Sequence, residues 1–206
     1  MSFPDKLTAT LTGTTTRQLY SWRSKGVLIP EVQASSPALY SFRDLVAVRT
    51  VAFLRSQVSF QKVRRAFENL RKLDYQDHPS TYRFGTDGKT IAIEDRNGMV
   101  VDLVDFKGQM LMFSLEEIFR EFTNFAGNKV VDFERPLPNL EVNPRRMGGW
   151  PTIAGTRVPY DAVSDLLADG FYSPADVNRF FPSVNADEAV DALRFSEMVD
   201  SHKRGA

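Results

Sequence analysis

A helix broken and restarted within fifteen residues constrains this chain more than any other feature. Residues 11–25 read Leu-Thr-Gly-Thr-Thr-Thr-Arg-Gln-Leu-Tyr-Ser-Trp-Arg-Ser-Lys. Gly13 ends a first short helix over residues 4–12, in which Leu7 and Leu11 share a side. Thr14 or Thr15 caps the next helix, because a hydroxyl accepts a hydrogen bond from an orphan N–H of the first turn. Leu19 and Trp22 are three apart, so they share a face that buries itself. Thr16, Arg17, Gln18, Tyr20, Ser21 and Arg23 are left to face elsewhere. With Thr14, Thr15 and Lys25 they make a candidate DNA-reading set. A helix dry on one side and basic, amide- and hydroxyl-bearing on the other suits a DNA groove.

Charge separates along the chain in the same sense. Net charge is zero, yet residues 1–75 hold twelve Lys/Arg against five Asp/Glu, which leaves +7 there and −7 in the remainder. A basic head on an acidic body implies that only the head meets a polyanion. The chain has no cysteine, which excludes disulfides, a thiolate nucleophile and a cysteine zinc site. No apolar run is long enough to span a bilayer, and residues 1–6 lack an apolar signal core. The expectation is a cytoplasmic protein without membrane contact.

After the recognition candidate, Gly26 stands where a helix takes a left-handed terminator. Residues 27–30 begin an extended segment, Ser35-Ser36-Pro37 turns it, and Leu39-Tyr40 returns. This is the outline of a small wing, with Ser35 and Ser36 at its tip. Ser41 caps a helix bearing Leu45, Val48, Val51 and Ala52. Ser59 caps another, with Phe60, Val63, Phe67, Leu70 and Leu73 on one stripe and Lys62, Arg64, Arg65, Arg71 and Lys72 off it. Residues 7–73 resemble the winged helix-turn-helix head of the MerR family. The match runs through Thr15-Thr16-Arg17, Trp22, the Gly-Val-Leu-Ile-Pro run at 26–30, and the Tyr-Ser-Phe-Arg-Asp-Leu run at 40–45. The resemblance implies DNA binding as a homodimer. One departure is the wing return, Ala38-Leu39-Tyr40, where members often carry an Arg-Tyr pair.

The polar stretch 74–80, which contains His78-Pro79, reads as a linker. Strands follow at 81–84, 90–94, 99–104 and 109–113, with Asp87-Gly88 and Asn97-Gly98 as turns. Ser114 and Glu117 have capping-box spacing, and the helix after them puts Leu115, Ile118, Phe119, Phe122 and Phe125 on one face, read as core. A short strand is expected at 130–133. The last third opens on a Gly/Pro-rich loop with Arg145 and Arg146 adjacent. Three helices then start near Tyr160, Ser173 and Asn185, with Gly170 stopping the first. Their surface is rich in Asp and Glu, so a duplex repels them and they are not a second DNA reader.

Residues 148–159, Gly-Gly-Trp-Pro-Thr-Ile-Ala-Gly-Thr-Arg-Val-Pro, resemble the Gly-x-Pro-x-Ile-x-Gly-Thr-Arg signature of the domain-of-unknown-function family numbered 433. Asn143-Pro144-Arg145, the Leu-Leu-Ala-Asp-Gly run at 166–170 and Ser173-Pro174 also fit. Members resemble antitoxins of VapBC-type pairs, whose toxin is a PIN-domain ribonuclease. The resemblance implies toxin contacts in this region, with Arg145, Arg146, Trp150 and Arg157 as candidates. An arginine set among the metal-holding carboxylates of such a nuclease pairs with them and blocks substrate.

Enzyme readings fail on placement. His78 and His202 are the only histidines, in a linker and a tail, and the glycine loops lack the Gly-Lys-Ser/Thr ending of a phosphate loop. No cofactor is expected. The sequence therefore reads as α+β, in three parts: a MerR-like winged helix-turn-helix (1–75), a β-rich middle segment with one helix (80–142), and a C-terminal three-helix region (143–201). The expected protein is an antitoxin that binds a PIN-domain ribonuclease and represses its own promoter on double-stranded DNA. The rival reading is a MerR-like regulator that responds to a small ligand.

Overall fold

The computed structural model describes residues 1–73, 75, 77–94, 98–104 and 111–202. Asp74 and Gln76 of the expected linker, Asn97 of the Asn-Gly turn, Gly108 with Gln109 and Met110 of the fourth expected strand, and Lys203 and Arg204 of the tail lie outside the described residues.

The head is built as its caps dictate. Strand β1 (Phe3–Pro4) leads into helix α1 (Asp5–Thr12), which Gly13 ends with a positive φ of 71°. Helix α2 (Thr16–Ser24) starts on a capping box: the Thr15 hydroxyl accepts from the Gln18 N–H, and the Gln18 side chain accepts from the Thr15 N–H. Strand β2 (Leu39–Tyr40) closes the wing, yet its ladder partner is β1, with Phe3 opposite Tyr40. The outgoing arm, expected as an extended segment from Val27, meets the return at one bridge, Gln33 with Leu39. Helix α3 (Phe42–Gln57) starts on a second capping box from Ser41 and Asp44. Helix α4 (Phe60–Lys72) buries Val63, Ala66, Phe67 and Leu70, but Leu73, expected on that stripe, is half exposed.

The stretch read as a linker is packed. It contains a 3-10 turn (Pro79–Thr81), and the Tyr75 and Tyr82 rings meet edge to face. His78 Nε2 lies 3.1 Å from Asp44 Oδ1, inside the head. Asp44 is fully buried. Its other oxygen accepts the Glu31 and Ser41 N–H groups at 3.1 and 2.8 Å, which ties both arms of the wing to α3. Burial raises the Asp44 pKa, but the hydrogen bonds from His78, Ser41 and Glu31 outweigh it and hold the carboxyl below its ordinary value.

A four-stranded antiparallel sheet follows: β3 (Arg83–Thr86), β4 (Ile91–Glu94), β5 (Val100–Asp102) and β6 (Leu111–Met112), in the order β5-β4-β3-β6. Phe84 of β3 stacks on Phe67 of α4 at 5.4 Å and joins sheet to head. Helix α5 (Leu115–Phe119) is only one turn long, shorter than the aromatic stripe implied. Phe122 instead opens β7 (Phe122–Thr123), which pairs with β8 (Lys129–Val130). Ile118 is buried, but Leu115 and Phe125 are about half exposed. The stripe is therefore not one helical face. The helix ends where Arg120 turns extended, and beyond it the Asn124 side-chain oxygen accepts the N–H groups of Ala126 and Asn128 and turns the chain back into the β7–β8 hairpin.

In the C-terminal third, β9 (Leu140–Glu141) pairs with β10 (Thr152–Ile153), and helices α6 (Tyr160–Ala168) and α7 (Ala186–Ser201) flank a 3-10 helix (Pro174–Arg179). The middle one of the three expected helices is thus 3-10. No helix among the described residues is long and apolar enough to cross a membrane. One buried apolar cluster includes Leu11, Leu45, Ile91, Phe133, Ile153 and Phe195, so it runs through all three parts of the chain.

The side chain that the sequence pattern hid is Arg49, on α3 and fully buried. Its guanidinium donates to the carbonyls of Leu11 (2.6 Å), Ile118 (2.7 Å), Phe119 (2.9 Å), Arg120 (2.8 Å) and Val131 (2.8 Å). The Phe122 and Phe133 rings flank it at 5.3 and 5.4 Å. Burial lowers its pKa to about 10, against the pull of Asp132, so it stays charged at neutral pH. Arg49→Met removes every donor and leaves buried acceptors unmet. The expected loss in urea unfolding is about 3–5 kcal/mol, and a loss under about 1 kcal/mol contradicts this role.

The lowered Asp44 pKa gives a signed pH effect. Its contribution to stability is complete above the unfolded-state value of 3.8 and is lost as pH falls through the lower folded-state value. The stability gap between the wild type and Asp44→Asn should therefore be widest near neutrality and shrink below about pH 4. A gap that widens toward acid contradicts the assignment.

Candidate nucleic-acid interface

Helix α2 presents one continuous outer stripe. Arg17, Tyr20, Ser21 and Ser24 follow i, i+3, i+4, i+7 spacing; Arg17, Tyr20 and Ser24 are exposed and Ser21 is partly so. Tyr20 keeps 63% of its surface in solvent. Leu19 and Trp22 occupy the opposite, buried face, where the Trp22 ring stacks on Phe60 of α4 at 6.0 Å. Ser24 was not singled out from the sequence, although its spacing from Arg17 was sufficient to find it. Lys25 follows the helix, exposed, with its ammonium 5.5 Å from the Phe60 ring.

Several sequence candidates point elsewhere. Thr14 is buried and its hydroxyl is bonded to that of Thr12 at 2.9 Å. Thr16 is buried as well. Thr15 is exposed but occupied as the cap, and Gln18 is held by the same capping box. Arg23 turns inward, its side chain only 14% exposed, 4.0 Å from Asp5 Oδ1 and 5.5 Å from the Tyr20 ring. Asp5, Arg23 and Tyr40 come together where α1, the end of α2 and the wing return converge. Burial raises the Asp5 pKa against the opposing pull of Arg23, and burial also raises the Tyr40 phenol. Three of the nine candidates on and around α2 are therefore structural: Thr14, Thr16 and Arg23.

Ser35 and Ser36 are exposed at the wing tip. The wing stands beside the recognition helix, because Ser36, Pro37, Ala38 and Thr16 line one cavity of about 680 Å³. Asp5, Trp150, Tyr160 and Val199 close its other side, so head and C-terminal region both wall it. At the wing base Arg43 grips Glu31 through two contacts, at 2.6 and 3.3 Å. On α4, Arg64 and Arg65 are exposed beside Lys72, and Arg64 pairs with Glu68 at 2.7 Å. The Arg71 side chain lies outside what is described.

The C-terminal candidates divide in the same way. Arg145 and Arg157 are exposed. Arg146 is drawn into an ion pair with Glu141. Trp150 is half-buried, stacked on Phe3 at 5.6 Å and bonded through Nε1 to Asp161 at 3.1 Å. The Thr156 hydroxyl donates to the Ile153 carbonyl and accepts from the Val158 N–H, which fixes the Gly-Thr-Arg turn. Gly149 has φ +85°, and a Cβ there would collide with the Phe42 ring of α3. Gly149 is thus needed for the loop to lie against α3.

Residues 7–70 match the family described as MerR HTH family regulatory protein, and residues 140–196 match the family described as protein of unknown function, DUF433. The head is therefore a MerR-like helix-turn-helix region joined to a C-terminal helical region. The crystal structure of Rv2018 from Mycobacterium tuberculosis is similar in fold, with a TM-score of 0.54 at 16% identity over 93% of this chain and 96% of that one. None of the curated proteins matches.

If Arg17 meets a phosphate, Arg17→Ala weakens binding to the chain's own promoter and lowers the slope of log affinity against log salt by about one. An unchanged slope, measured by fluorescence anisotropy from about 50 to 200 mM salt, contradicts that contact.

Proposed function

We propose that this chain is an antitoxin: its head binds the promoter of its own operon as a homodimer, and its C-terminal region binds and neutralises a PIN-domain ribonuclease. The observation that carries the reading is the pairing of opposite surfaces on one core. The MerR-like head holds an exposed, hydroxyl-bearing and basic stripe on α2. Residues 160–202, most of which fall within the region matching DUF433, carry nine Asp/Glu against two Arg, a surface that nucleic acid repels. A second macromolecule of different charge is its natural partner. A dimer follows from geometry, since one recognition helix spans only a half-site. On this reading the chain is not an enzyme; His78 serves the wing base through Asp44.

One observation favours a second reading, a regulator that answers to a small ligand: the cavity between the wing and Trp150. A ligand there would touch Thr16 and Pro37 together and so act on the reading head directly. The two readings separate in one experiment. The chain is co-expressed with the PIN-type nuclease of the adjacent reading frame. The antitoxin reading expects a stable complex, loss of RNA cleavage, and a shift of the upstream promoter fragment. A nuclease that neither co-purifies nor is inhibited overturns it.

A further inference from the structure

The C-terminal region leaves a cluster of aromatic side chains in water. Phe171 is 85% exposed, Tyr172 40% and Phe180 46%. Isolated exposed apolar residues are ordinary, but three aromatics grouped on one folded loop are a binding feature. The loop is held in shape. Gly170 turns out of α6 at φ +70°, and its N–H bonds to the Leu167 carbonyl. The Ser173 N–H and hydroxyl both donate to Asp176 Oδ2, at 3.1 and 2.6 Å. The Tyr172 and Phe180 rings meet edge to face at 4.7 Å. Val177 of the same 3-10 helix is buried, as are Val184 and Ala189 after it, so the region has a core without these aromatics.

We infer that Phe171, Tyr172 and Phe180 form the anchor that seats in an apolar socket, rimmed by Lys and Arg, on the nuclease partner; this rests on the antitoxin reading above. Charge selects the occupant. Residues 160–202 carry a net −7; Asp165 and Asp169 lie on and at the end of α6 beside the loop, while Asp176 of the 3-10 helix pairs with Arg179 at 3.2 Å. Nucleic acid and anionic lipid are repelled. A second copy would set one acidic face against another. A ribonuclease must attract RNA phosphate and therefore carries basic surface, which matches this rim. The site also takes over from two of the four residues first considered, because Arg146 and Trp150 are engaged within the chain. A central aromatic anchor inside a charged rim is the usual arrangement of a high-affinity contact.

The test uses the full-length chain and the adjacent-frame nuclease. Phe171→Ser, at a position almost wholly in solvent, should leave promoter binding and circular dichroism unchanged and weaken nuclease inhibition at least about tenfold. Phe171→Ser with Phe180→Ser should weaken it further, and wild-type affinity should fall as salt rises. If the wild type inhibits and both variants stay within about twofold of it, the anchor is wrong while the antitoxin reading stands. If the wild type does not bind the nuclease at all, both fall. If sedimentation shows a dimer that Phe171→Ser dissolves, the occupant is a second copy and the inference is overturned.

Discussion

The guanidinium of Arg49 is the interaction on which this architecture depends. One buried cation on α3 gathers the carbonyl at the end of α1, three consecutive carbonyls from the end of α5, and the carbonyl that follows β8. Those carbonyls end short elements and lack partners within them. A buried carbonyl without a donor is costly, and so is a buried charge without acceptors. Each problem cancels the other here. The result is that the hairpin of β7 and β8 is fixed to the head, and Val130 reaches Gly13 at the helix break. The planar fork of arginine suits this arrangement, since its donors radiate in fixed directions that a lysine cannot reproduce.

The C-terminal region is joined to the same head by different means. Trp150 stacks on Phe3, Gly149 lies against Phe42, and Lys6 of α1 pairs with Asp200 of α7 at 2.8 Å. The surface pair contributes little by itself, whereas the aromatic stack is partly shielded from solvent. Beside these contacts Thr16 of α2, the wing at Ser36–Ala38 and the DUF433-like region share walls around one cavity.

Much of the fold was legible because caps and periodicity are local. Thr14 or Thr15, Ser41, and Ser114 with Glu117 each announced a helix start; the structure settles on Thr15 and adds Gln18 and Asp44 as the second arms of the first two boxes. The antiparallel strands of the middle sheet were visible as apolar runs between turns. The length of α5 was not, because an aromatic stripe at helical spacing is also compatible with a turn and a hairpin; Arg120 turns extended and Asn124 then turns the chain back. Of the candidate interface, the outward place of Arg17, Tyr20 and Ser21 followed from helical phase. Thr14, Thr16 and Arg23 were misplaced, because phase says which way a side chain leaves the helix and not what closes over it.

The amino-acid sequence by itself determined the broken helix at Gly13, the capped starts, the two family patterns and the opposition of charge between head and body. These depend on neighbours a few residues apart, where the chain's own geometry brings the groups together. Only the tertiary structure decided that Arg49 is a buried hub, that His78 belongs to the wing base, and that Arg23 and Trp150 are internal while Phe171 is not. The contacts of Arg49, His78 and Trp150 are pairings with groups tens of residues away. Burial strengthens such pairings by removing water, and burial is set by the whole packed chain.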